Sequence, residues 1–308
     1  MTGGNMNKRY IVSRRWLLFW TLFIGIGAVA GATGMLADTS GKAMGMDAML
    51  PYFQVLPFAD VLFQNFLFSG IALLIVNGLT NLTAAALLFA RRKSGIVLGG
   101  VFGITLMAWI VIQFVIFPLN FMSTIYFVFG ILQAVTGYVC YVGYMQSNFR
   151  FDPSDYHNVG TDHTKLVVYF SRCGYTRKVA YGIANDSGAE LLEVTTTERT
   201  QGNLGFWWCG RFAMHRWGMP IAEPQVDLAG YDHVTIVTPV WDFAVCAPIR
   251  EFCTKYACGK LKSVDYVSVH FMRAKFDFVA DSLDEMLQTK RTAYRSVSSH
   301  FGNFRDCN

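Results

Sequence analysis

The 308 residues carry 26 Lys and Arg against 21 Asp and Glu, a net charge of +5, and 53% of them are hydrophobic. A mean hydropathy of +0.33 is high for a soluble protein, so the apolar excess must be concentrated somewhere. Residues 1–150 hold nine basic against three acidic side chains and residues 151–308 hold seventeen against eighteen, and the basic surplus sits in short clusters beside hydrophobic runs. That arrangement excludes a nucleic-acid-binding stripe and reads as a membrane topology signal.

No charged residue occurs in 16–37, 61–90 or 94–149. One bilayer crossing takes about 20 mostly apolar residues, so the last run holds two, with Pro118 and Asn120 as the break between them. The predicted spans are 16–37, 66–90, 95–117 and 121–145, which make residues 1–148 a four-span helical membrane domain. Lys8, Arg9, Arg14 and Arg15 precede the first span, Arg91, Arg92 and Lys93 separate the second from the third, and Arg150 follows the fourth. The loop 38–65 sets only Lys42 against Asp38, Asp47 and Asp60. Basic clusters mark the cytoplasmic side, which predicts a multi-pass protein of the cell membrane with both termini in the cytoplasm. Arg14-Arg15, an apolar stretch and Ala28-Val29-Ala30 also imitate a signal peptide, but cleavage there leaves residues 151–308 on the same side.

All six histidines follow residue 150, which excludes a membrane haem held by paired histidines. The polar residues of the spans include Asn77, Asn81, Gln113 and Gln133, read as interhelical hydrogen bonds or as contacts to a quinone head group. Gly27-x-x-x-Gly31 and Gly99-x-x-x-Gly103 read as close helix packing.

Residues 149–163, with Pro153, Ser154, Asp155 and Gly160, read as a linker, and residues 164–308 as a second domain. Residues 166–170 form a β-rich apolar run. Val179, Ala180, Ile183 and Ala184 follow at helical spacing. Further strands are predicted at 190–195, 233–238, 264–270 and 294–298, with helices near 247–257 and 280–291. The alternation predicts a doubly wound, five-stranded parallel sheet.

Ligands of such sheets bind beyond the carboxyl ends of the strands. Ser171, Arg172, Cys173, Gly174, Tyr175 and Thr176 join the first strand to its helix, and small and hydroxyl residues there let N–H and O–H groups converge on a phosphate, or merely cap the helix. Thr238, Pro239, Val240, Trp241, Asp242 and Phe243 leave the third strand and offer rings that either stack on a flat heterocycle or fill a core.

In these two loops the domain resembles the flavodoxin family, over about residues 165–300. The resemblance implies strand order 2-1-3-4-5 and non-covalent FMN, with residues 171–176 around the phosphate and residues 238–243 at the isoalloxazine. The insertion before the third strand, Gly205-Phe206-Trp207-Trp208-Cys209-Gly210-Arg211, is similar to that of short flavodoxin-family proteins of anaerobic bacteria. Residues 267–275 resemble instead the menaquinone-dependent protoporphyrinogen dehydrogenase branch of the superfamily. Cys173 stands where the family has Ser or Thr, the usual Gly-Gly after the fourth strand is missing, and the chain ends without the family's last helix.

Cys173 lacks the Cys-x5-Arg spacing of a phosphatase, since Val179 occupies the sixth position, and is read as a small loop residue or a redox thiolate. No Cys-x2-Cys pair occurs, so no metal site is expected. Arg211, His215 and Arg216 bind an acidic substrate or form an ordinary amphipathic surface. The functional expectation is an FMN-dependent electron carrier or oxidoreductase between a cytoplasmic donor and a membrane acceptor such as a quinone. The rival class is a non-catalytic flavin or redox sensor.

Overall fold

The structure is a computed structural model and describes residues 3–117 and 119–307. The chain divides into two compact units, Met1–Asn148 and Phe149–Asn308.

Four helices of the first unit are long and apolar enough to cross a membrane: α1 (Gly3–Ala37), α2 (Leu67–Phe89), α3 (Lys93–Ile116) and α4 (Phe121–Asn148). Within α2, Leu74–Leu79 is wound as a wider π turn. Helix α1 starts well before the expected residue 16, because Lys8, Arg9, Arg14 and Arg15 continue its turns instead of preceding it. Pro118 lies outside the described residues; α3 ends at Ile116 and α4 begins at Phe121, with the Asn120 side chain accepting the N–H of Ser123.

Polar side chains tie three of these helices together. Gln133 of α4 donates to the Asn81 side chain of α2 at 2.7 Å and to the Gly99 carbonyl of α3 at 2.8 Å. Among apolar neighbours such bonds are each worth about 0.6–2 kcal/mol. Backbone closeness comes at Gly103 of the expected Gly99-Gly103 pair and at Gly137, not at the expected Gly27. A Cβ on Gly137 would lie 2.4 Å from Gly100 Cα, and one on Gly103 would lie 2.6 Å from the Ala134 nitrogen, whereas one on Gly27 would meet only the Tyr126 hydroxyl at 3.9 Å.

The second unit holds seven strands among the described residues: β1 (Asp162–Tyr169), β2 (Ala189–Glu193), β3 (His233–Trp241), β4 (Ala244–Val245), β5 (Val264–His270), β6 (Ala293–His300) and β7 (Asn303–Asp306). Their order is β2-β1-β3-β5-β6-β7, with β4 paired to β3 alone. The five expected strands run parallel in the expected order. The sheet is nevertheless mixed and larger than five strands, because β3 and β6 each turn back into an antiparallel partner. Both hairpins use two-residue turns with both residues at positive φ, Asp242-Phe243 and Phe301-Gly302, the geometry that matches strand twist.

The helices are α5 (Tyr175–Ser187), α6 (Gly202–Met214), α7 (Ala247–Glu251, prolonged by the π turn Phe252–Ala257) and α8 (Asp277–Leu287). Alternate residues of β1 face opposite layers. Leu166, Val168 and Phe170 join the core that contains Ile249, Phe252 and Leu283, while Val167 and Tyr169 join Ala180 and Ala184 of α5. The segment expected as a linker runs along the second unit, where Phe151 and Tyr156 pack on Tyr181 at 4.9 and 5.5 Å between ring centres.

Gly137→Ala should lower the stability of the detergent-purified protein by about 1–3 kcal/mol, since the added methyl meets backbone and not a movable side chain. Gly27→Ala is the matched control and should leave the melting temperature unchanged.

Candidate functional site

The carboxyl ends of β1 and β3 are neighbours, and the sheet order reverses between them, with β2 reached from β1 on one side and β5 from β3 on the other. At the first end the chain leaves β1 through residues 170–174. Gly174 adopts φ 89°, a left-handed conformation that an L side chain rarely takes, and it is the N-cap of α5 without any side-chain cap. Ser171 Oγ accepts the Gly174 N–H at 3.1 Å and so sets the shape of the loop. The first N–H groups of α5 have no partner inside the helix, and the helix dipole adds partial positive charge there. Thr176 is not the cap but the second helical residue, and it is 4% exposed. The Tyr175 hydroxyl is buried without a hydrogen-bond partner, and burial raises its pKa. The Phe149 ring lies 4.6 Å from that of Tyr175 and closes one side of the loop. Cys173 is half-buried.

The second end differs from the expected loop. Thr238, Pro239, Val240 and Trp241 remain inside β3, and only Asp242 and Phe243 form the turn. Thr238 is fully buried, and its Oγ accepts the Cys246 N–H at 3.3 Å, which bonds the hairpin to the start of α7. Trp241 is half-buried, its ring edge-on to Phe170 at 5.5 Å and 88°. It packs on the core and also borders a cleft. Phe243 is 56% exposed and leans toward Phe276 at 6.0 Å.

A cleft of about 590 Å³ opens beside this edge. That volume lies within the range of small-molecule sites, about 300–1,000 Å³. Of the expected site residues it gathers Arg172, Val240, Trp241 and Asp242; Ser171, Cys173, Gly174, Tyr175, Thr176, Thr238, Pro239 and Phe243 do not border it. Its other wall is α6, with Phe206, Trp207, Cys209, Gly210, Arg211, Met214 and the following His215. Sequence reasoning noted the aromatic insertion but predicted no helix there and did not place it in the cofactor site. The available signal was Gly205, Cys209 and Ala213 at four-residue spacing, which are the residues α6 buries.

Two arginines tie together the segments around the cleft. Arg172 lies over the Phe206 ring at 5.4 Å and donates to the carbonyls of Thr200 and Gly202 at 3.4 and 3.5 Å. Arg216 donates to the Asp242 carbonyl at 2.8 Å and braces the hairpin turn. Burial raises the Cys209 thiol to about 11, so this thiol is neutral, and the charge of the wall is that of Arg211. Beyond β5, where the Gly-Gly is missing, His270 is buried between the Met272 carbonyl at 2.7 Å and Ser296 Oγ at 2.8 Å, and Phe271 and Met272 are exposed.

These residues fit a flavin phosphate and ring. An uncapped helix start with an orphaned tyrosine hydroxyl suits an anion, and an apolar cleft with aromatic walls suits a flat heterocycle.

No family model matches the chain, and no curated protein matches it. Among solved structures, a candidate flavoprotein of Bacteroides eggerthii is 18% identical with a TM-score of 0.39, covering 44% of this chain and 88% of that one. A flavoprotein of Lactobacillus acidophilus in complex with FMN is 19% identical with a TM-score of 0.36, covering 44% and 93%. A candidate flavoprotein of Bacteroides uniformis is 18% identical with a TM-score of 0.38, covering 44% and 92%. Similarity at this level carries no site residue from one chain to another.

Burial lowers the His270 pKa below its ordinary 6.5, against a smaller opposing effect of the Met272 carbonyl. Below that pH the unfolded chain takes up a proton that the folded chain resists, so this histidine's contribution to stability is lost on acidification. Thermal melting at pH 7.5 and 5.5 should show a smaller acid-induced drop for His270→Gln than for the wild type.

Proposed function

We propose that the chain is a membrane-anchored FMN-binding protein that passes electrons between a cytoplasmic donor and a membrane acceptor, a quinone. The observation that carries this reading is the juxtaposition, at the reversal of strand order, of an uncapped helix start after β1 and an aromatic hairpin after β3. FMN bound there supplies the redox chemistry.

The protein's own residues bind, orient and exclude water. Backbone N–H groups of the first turn of α5 and the Thr176 hydroxyl would hold the phosphate, with the loop shape already set by Ser171 and Gly174. Trp241 and the Phe206–Trp207 wall would flank the ring system, and Arg172 would stand at its edge. No Gly-x-Gly-x-x-Gly fingerprint supplies a nicotinamide site, which favours a separate electron donor.

Anchoring rests on the four apolar helices, and the basic clusters around them favour cytoplasmic placement of both termini and of residues 149–308. A reporter fused after Asn308 and one inserted at Gly160 should both report the cytoplasmic side; periplasmic activity at either would overturn the assignment of a cytoplasmic donor.

The purified full-length protein should be yellow, with the absorbance of oxidised flavin. A colourless protein that also fails to bind added FMN would reject the cofactor. Thr176→Val keeps the shape of the buried site but removes a hydrogen bond to a charged group, a loss of about 1.5–3 kcal/mol, so FMN affinity should fall by roughly one to two orders of magnitude. Unchanged affinity would move the phosphate elsewhere.

A further inference from the structure

Helix α6 buries a stripe of small residues, Gly205, Cys209 and Ala213, against its own unit, with Phe212 packed beside it on Met219 and Ala247. Around the rest of the helix and its exit, Leu204 is 61% exposed, Phe206 59%, Trp207 73%, Met214 69% and Trp217 47%. A soluble unit rarely leaves so many large apolar side chains together in water. Flavin in the cleft accounts for only part of them. Phe206, Trp207 and Met214 border the cleft, but Leu204, Trp208 and Trp217 do not, and a ligand held there would leave these three uncovered.

The sequence of this face is basic, with carboxylates only at its border, where Asp242 Oδ2 lies 3.8 Å from Arg216. Residues 199–222 contain no Asp or Glu and three arginines, Arg199, Arg211 and Arg216, all exposed. Glu198 accepts the Trp208 indole N–H at 2.7 Å and Asp242 is paired with Arg216, so among the described residues the cations of this face without a carboxylate partner are Arg199 and Arg211. The Arg211 guanidinium lies 5.4 Å from the Trp208 ring and 5.8 Å from the Trp217 ring, so cation and aromatic side chains form one surface. Tryptophan concentrates where hydrocarbon meets headgroups, and arginine is drawn to anionic lipid.

We infer that α6 docks its outer aromatic face on the headgroup layer of an anionic bilayer. The inference rests on the reading that α1 to α4 cross a membrane, because that anchoring supplies the bilayer at high effective concentration. Docking of α6 brings one wall of the cleft to the lipid interface. A lipid-soluble acceptor would then approach the cleft without first dissolving in water.

The test is hydroxyl-radical footprinting of the full-length protein, one copy per nanodisc and saturated with FMN throughout, in phosphatidylcholine discs with or without phosphatidylglycerol. Modification of Leu204, Trp208 and Trp217 should slow in the anionic discs, while Phe278 of α8, 45% exposed, keeps its rate. Arg199→Gln should cost about fivefold in docking, the effect of one cation at an anionic surface, and high salt should act in the same direction. Equal modification of the three residues in both discs, at a rate like that of Phe278, overturns the inference. So does protection that appears only when two copies share a disc, which would make α6 a contact between chains. Normal incorporation into discs without the footprint rejects docking alone, whereas a chain that does not enter discs rejects the membrane reading and the docking with it.

Discussion

Parallel strands covered on both faces have nowhere to offer polar groups except at their ends. In the second unit β1 and β3 are such strands: Val167 and Val168, adjacent in sequence and facing opposite layers, are 1% and 0% exposed, and Ile236 and Val237 are both fully buried. Any ligand chemistry is thereby driven to the carboxyl edge, where the backbone of residues 171–176 and the hairpin after β3 emerge from the core. The same burial sets the price of error at that edge, because Trp241 and Phe170 belong at once to the core and to the region of the cleft. A change that empties the Trp241 position therefore affects folding and ligand binding together, and apo stability has to be measured beside affinity to tell them apart.

The strands and α5 were legible because their signals are local. Five β-rich runs and the spacing of Val179, Ala180, Ile183 and Ala184 are properties of short stretches of chain, and each found its element. The two hairpin returns were not legible. Asp242-Phe243 has no glycine at either position of positive φ, and β4 is only two residues long, so neither turn chemistry nor strand length announced it. Helix α6 escaped for the opposite reason. Its buried stripe, Gly205, Cys209 and Ala213, repeats at helical spacing but is made of small residues, and the large apolar side chains between them mask that repeat.

For the site the division is similar. Residue types suited to a phosphate and a flat ring were visible, but which of them meet was set by β3 running on to Trp241. Three extra residues of strand carry Thr238 into the interior, where its hydroxyl serves the Cys246 N–H instead of a ligand, and they turn Phe243 away from the cleft. In the first unit the glycines at contact distance are set by the register of α3 against α4, and a Gly-x-x-x-Gly pattern in one helix says nothing of the register of its neighbour.

The Asp242-Phe243 turn also shows where strain is held. Both residues sit at positive φ, 46° and 55°, which costs a non-glycine residue roughly 1–2 kcal/mol. The surroundings over-determine the turn. β4 pairs Val245 with Val240 and Ala244 with Trp241, Thr238 binds the Cys246 N–H, and Arg216 holds the Asp242 carbonyl from the end of α6. Arg216 thus joins the aromatic helix to the hairpin, the two walls of the cleft. A shift of α6 would reach the core through Cys209 and Phe212 and the hairpin through the Arg216 contact to Asp242. The strained turn is therefore coupled to α6 by a direct hydrogen bond as well as through the shared core.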